Sequence, residues 1–128
     1  LLKKANQKKD SFIKYAFLRV FMFRIFKTTT YDEDYNKLDN SEKARVNALI
    51  ESLFEYGDVT GKPLGLRFFR EKKFGGKRLF YLVYKNFSSI LIVAISDKKA
   101  QPATINEILL NLEEYEQYII TKLKETIT

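Results

Sequence analysis

Apolar and polar positions along this chain change period several times, and the changes mark out its elements. Phe23, Ile25 and Lys27 alternate with Arg24 and Phe26, the two-residue period of a strand with a buried face. Thr28, Thr29 and Thr30 offer N-caps for a short helix over residues 31–38. Its first turn holds Asp32, Glu33 and Asp34, where carboxylates favour the helix dipole. Asp39 with Glu42 has the form of a capping box and opens a second helix that runs to about Tyr56. There Val46, Leu49, Ile50 and Leu53 fall at i, i+3, i+4 and i+7, one face of a helix, and Gly57 suits its C-cap.

Residues 58–65 read as a loop, holding two of the five glycines and one of the two prolines. Residues 66–99 then read as three strands. Gly75-Gly76 signals the hairpin between the first two, and Asn86 with Ser88-Ser89 marks the turn before the third. Residues 90–95 are apolar enough for a central strand buried on both faces. After Pro102, Thr104 and Glu107 form another capping-box pair. It opens one amphipathic helix of about 20 residues carrying Ile105, Ile108, Leu112, Tyr115, Ile119 and Leu123. The predicted class is α+β: strand, two-helix hairpin, three-stranded antiparallel meander, C-terminal helix. The first strand docks at the meander's edge with the helices on one face, which leaves the other sheet face open.

Charge sharpens that picture. The net charge is +7, but it comes in blocks: residues 1–27 carry eight basic residues and one acid, and residues 62–99 carry ten basic residues against Glu71 and Asp97. Residues 28–61 and 100–128 are net acidic. A basic surface built from particular segments suits a polyanion. Cys and His are both absent, which excludes a disulfide framework, a thiolate nucleophile, zinc fingers and the commonest general base. Chemistry here must run on Lys, Arg, Tyr, carboxylates or hydroxyls. Asp32, Glu33 and Asp34 make no arguable metal site, and no cofactor motif is present.

The most apolar run, residues 12–26, is interrupted by Lys14, Arg19 and Arg24 and falls short of the roughly 20 residues a membrane span needs. No small-residue cleavage site follows it, so the expectation is a cytoplasmic protein with no membrane partner. Met22, the only methionine, immediately precedes the first strand. Residues 1–21 are therefore expected to be an extension, able to form an amphipathic helix from about Asp10, and residues 22–128 a single domain.

The strings GKPL (61–64), GGKRLFYLVY (75–84) and ISDKK (95–99), in this order of elements, resemble the RelE/HigB/ParE superfamily of toxins from type II toxin–antitoxin systems. Arg78-Leu79-Phe80-Tyr81 matches that superfamily's "yRvfY" element, and Lys98-Lys99-Ala100-Gln101 with Glu107-Ile108 resembles a HigB-like tail. The resemblance covers roughly residues 22–108. It implies a RelE-like microbial-ribonuclease fold and a metal-independent endoribonuclease that cuts mRNA, in many members on the ribosome, by attack of the ribose 2′-OH on the adjacent phosphate. It also implies two partners, RNA and a cognate antitoxin protein.

Carried over by position, the resemblance puts Arg70 or Lys73 at a phosphate-binding cation on the first meander strand. Arg78 matches the arginine of the next strand, and Lys98 a second catalytic cation. The tyrosine that RelE-like members carry near their C-terminus falls at or near Thr104, a far poorer acid or base. That leaves Tyr81 and Tyr84 as the tyrosine candidates, on opposite strand faces. One of the two is core; the other is free to stack a base or donate a proton. Arg67, Lys72, Lys77, Lys85 and Lys99 complete an expected RNA-binding set. The bland alternative for these cations is a charged strand face that discourages edge pairing. The last helix either covers the core or docks an antitoxin. Thr104 also leaves room for a non-catalytic relative, or a ParE-like inhibitor of DNA gyrase.

Overall fold

The structure, a computed structural model, describes residues 23–56 and 61–127. The expected helix in residues 1–21, the Met22 boundary and the Gly57 cap lie outside them. Strand β1 (Arg24–Lys27) leads into helices α1 (Thr29–Asn36) and α2 (Asn40–Tyr56). Strands β2 (Lys62–Leu64), β3 (Leu66–Phe74), β4 (Lys77–Tyr84) and β5 (Ser89–Asp97) follow, then helices α3 (Gln101–Leu110) and α4 (Leu112–Ile127). The sheet order is β1-β5-β4-β3-β2, with β1 parallel to β5 and the remaining pairs antiparallel. The meander and the edge position of the first strand are as the pattern predicts. Strand β2, short and ending the sheet, occupies part of what reads as loop.

The α1–α2 hairpin is held by the caps its sequence announces. Thr28 Oγ1 accepts from Tyr31 N at 3.0 Å and donates to Val93 O at 2.6 Å, so one hydroxyl both starts α1 and ties it to β5. Glu42 N donates to Asp39 Oδ1 at 2.7 Å while Asp39 N donates to Glu42 Oε1 at 3.1 Å, the reciprocal capping box. Helix α1 starts two residues before the expected Tyr31, so its first turn holds only Asp32 of the three acids; Asp34 instead accepts from Ile95 N through its Oδ2 at 3.0 Å, pinning α1 beside β5 beyond the end of β1.

The expectation of an open sheet face is overturned. Tyr31, Val46, Ile50 and Leu53 of α1 and α2 pack on one face against Leu79, Tyr81, Val83, Ile90 and Ile92. Ile108 of α3 and Ile119 of α4 pack on the other, against Phe69, Phe80, Leu82, Leu91 and Val93. The apolar runs of β4 and β5 require this, because consecutive side chains point to opposite faces and both sets are greasy.

The predicted single C-terminal helix is also two. Asn111 breaks it: its Nδ2 donates to Glu107 O at 2.8 Å, and its backbone leaves the helical region at φ −115° and ψ 19°. Nor does Thr104 cap anything. The helix starts three residues earlier, with Pro102 in its first turn, and Thr104 Oγ1 donates back to Ala100 O at 3.0 Å.

Candidate functional site

Strand register decides which of the expected cations meet. Lys73 of β3 is directly opposite Arg78 of β4, and Arg78 is directly opposite Ser96 of β5. Directly paired residues share a sheet face, so the three form one row. One step along the sheet, on the same face, Glu71 pairs with Phe80, which packs beneath α3 and α4. Lys62 of the edge strand lies opposite Glu71. The first residue of α3 closes over this row: Gln101 Nε2 donates to Glu71 Oε2 at 2.8 Å. Lys98 and Lys99 stand exposed in the turn between β5 and α3, beside the same end of the sheet.

Arg78 is the unusual member. Its side chain is only 8% exposed, and its Nε is buried without a hydrogen-bond partner. Among the described residues it forms no ion pair, and Glu71, the carboxylate on its face, accepts from Gln101. Little of the guanidinium meets solvent, and no counter-ion stands against it among the described residues. Placing Lys73 directly across from it adds a like-charge pair, which disfavours a sheet. Such a pair suits an incoming anion with several oxygens, which a planar fork and a flexible ammonium grip from two sides. The adjoining α3 terminus has no side-chain cap, so its first N–H groups add to the positive field.

The other expected residues are dispersed. Tyr81 is fully buried in the core beneath α2, so no substrate reaches it there. Arg70 shares Tyr81's row, on the face opposite Arg78, and donates to Arg67 O at 3.0 Å and Gly61 O at 3.2 Å. Lys72 pairs with Leu79 on that same α1–α2 face. Lys77 faces Asp97 and joins Asp34 and Thr104 around a cleft of about 220 Å³ that Ser96 also lines. Arg67 and Lys85 lie at the far end of β4, around a cleft of about 410 Å³ that also includes Tyr84. Burial, then the carboxylate of Glu116, push the Tyr84 phenol well above its ordinary range, so it stays protonated. Of the expected set, then, Lys73 and Arg78 are brought directly opposite each other, and Lys98 and Lys99 stand in the turn that follows β5. Glu71 and Gln101 were given no role by sequence reasoning; the signal available was one acid standing alone in a basic strand.

No group of three or more His, Cys, Asp or Glu side chains among the described residues could hold a metal ion. No protein-family model matches the sequence, and no curated protein matches it significantly. Solved structures do. A mutant E. coli RelE toxin in the free state superposes with a TM-score of 0.58 at 13% identity, covering 67% of this chain and 92% of that one. The RelBE2 toxin–antitoxin complex of Mycobacterium tuberculosis gives 0.53 at 22% identity, covering 60% and 92%. The RelE–RelB complex of Pyrococcus horikoshii gives 0.52 at 18%, covering 60% and 96%. This chain has the RelE fold. Nearly the whole length of each RelE-fold structure is matched, and the remainder of the present chain is additional to it.

Proposed function

We propose that this chain is the toxin of a type II toxin–antitoxin system and acts as an endoribonuclease on mRNA, free or ribosome-bound, in the cytoplasm. The observation that carries the proposal is Arg78, buried, without a counter-charge among the described residues, and facing Lys73 on a RelE fold. The arginine fork would hold the non-bridging oxygens of the scissile phosphate, and Lys73 would stabilise the charge that builds there as the 2′-oxygen attacks phosphorus. The P–O5′ bond breaks, leaving a 2′,3′-cyclic phosphate on one fragment and a 5′-OH on the other. The 2′-OH proton would pass to solvent, Lys98 would donate a proton to the leaving 5′-oxygen and regain one from solvent, and Lys99 would add to backbone attraction. With Tyr81 in the core and no His in the chain, the reaction rests on positioning and electrostatics. No cofactor or metal enters the scheme.

The antitoxin partner is supported by the company the fold keeps: the M. tuberculosis and P. horikoshii structures are complexes with an antitoxin. In this chain an antitoxin would cover the Arg78 row. The test is end mapping of RNA incubated with purified protein, with and without ribosomes. New 5′-OH ends that disappear when Arg78 is replaced support cleavage; RNA left whole in both settings overturns it.

Thr104 favours a second reading. It lines the cleft with Asp34 and Lys77, and its hydroxyl is committed to Ala100 O. A protein lacking a proton donor at the Arg78 row would bind nucleic acid without cutting it, or act on gyrase as ParE-like proteins do. Inhibited supercoiling with intact RNA would select that reading.

A further inference from the structure

The 410 Å³ cleft at the far end of β4 is left unused by the reading above. It is six residues along the strand from Arg78, about 20 Å at ordinary strand rise, so it is a different place. Its walls combine two chemistries. Phe68, Tyr84 and Phe87 supply aromatic surface, with the Tyr84 and Phe87 rings 6.3 Å apart and tilted at 35°. Arg67 and Lys85, both exposed, supply positive charge at the rim, and Glu116 of α4 supplies one carboxylate. The volume falls in the range of small-molecule sites.

Two features show capacity to spare. The Tyr84 hydroxyl is buried with no hydrogen-bond partner, and a buried donor left unpaired is costly unless something else meets it. Arg70, at the same cleft, is anchored by carbonyls of Arg67 and Gly61, and among the described residues no carboxylate pairs with it.

We infer that this cleft binds a nucleotide: a base laid on the Tyr84–Phe87 surface, its polar edge meeting the Tyr84 hydroxyl and the Glu116 carboxylate, and its phosphate on Arg67. Flat π-faces take any base, a carboxylate accepts from an exocyclic amino group, and the cationic rim takes the phosphate. A free nucleoside monophosphate and one unit of a bound RNA strand offer the same chemistry.

The test is titration of the full chain with each nucleoside monophosphate and, separately, with a short single-stranded oligonucleotide, followed by heteronuclear NMR. Saturable binding below about 1 mM, with shifts at Phe87 and Glu116, supports the inference. Tyr84→Phe should weaken it roughly tenfold, the worth of one hydrogen bond, and Arg67→Ala should weaken phosphorylated ligands but not nucleosides. Binding of oligonucleotide alone would identify the source as an RNA strand; binding of monophosphates identifies a free ligand. Arg78→Met should leave monophosphate binding unchanged, so this result stands apart from RNA cleavage. No saturable binding of either ligand by folded protein overturns the inference, as does binding lost with Arg78 and kept in Tyr84→Phe.

Discussion

Gln101, the first residue of α3, donates to a Glu71 carboxylate that is only 3% exposed, across 2.8 Å. This bond fixes the start of α3 over the sheet and engages the carboxylate that shares a face with Arg78. Replacing Gln101 by Ala strands a buried carboxylate, which should cost about 1–3 kcal/mol of folding stability in denaturant titrations. Gln101→Glu should be at least as damaging, since it sets two carboxylates against each other. Unchanged denaturation midpoints in both would remove this contact from the account.

Register also predicts which lysines matter to RNA. Lys73 shares a face with Arg78, whereas Lys72, its neighbour, shares one with Leu79 beneath the α1–α2 side. Lys73→Ala should lower the dependence of log K on log salt by about 0.7 for single-stranded RNA, the contribution of one phosphate contact. Lys72→Ala should leave the slope alone. Equal effects would mean that the two faces are not distinguished by RNA.

At Gly61 the chain passes close over the core residue Tyr81. Its φ is +82°, and an added Cβ would meet the Tyr81 hydroxyl. Gly65 has nearly the same φ, +81°, with open space around it. Gly65→Ala should therefore cost about 1–2 kcal/mol from backbone conformation alone, and Gly61→Ala clearly more. Equal losses would show that Tyr81 gives way freely.

Three tyrosines make the fold sensitive to alkali. Burial raises Tyr31, Tyr84 and Tyr115 above the ordinary phenol pKa, with neighbouring Tyr35, Glu116 and Glu107 adding to the shift in turn. In the unfolded chain these phenols ionise near pH 10; in the folded chain they keep their protons. Stability is thus unaffected below about pH 10 and falls as pH rises past it, by up to about 1.4 kcal/mol per pH unit for each fully shifted group. Urea midpoints between pH 8 and 11 should show this loss, and Tyr31→Phe with Tyr84→Phe should flatten it.

Much of the architecture is legible in the sequence because local chemistry and the tertiary fold agree. The Thr28 cap, the Asp39–Glu42 box, the Gly75-Gly76 hairpin and the central β5 all follow from short-range signals. What was misread depends on distant partners. The run Leu79–Tyr84 is apolar on both faces, so an open sheet face conflicts with it. Seeing how the second face is covered requires knowing that Asn111 turns the C-terminal segment into two helices. The site suffers the same way. Composition locates a basic stretch, but a one-residue step along a strand changes face, and only register separates Lys73 and Arg78 from Arg70, Lys72 and Tyr81.

Arg78 is buried with no counter-charge among the described residues, and Arg78→Met tests its role most directly. Methionine fills similar space without a charge, so folding stability should hold or rise, by up to a few kcal/mol. In the same preparation, RNA affinity and the appearance of 5′-OH ends should fall at least a hundredfold, the worth of one charged contact to a reacting phosphate. A variant that is stable and cuts RNA as the parent does would contradict the central claim.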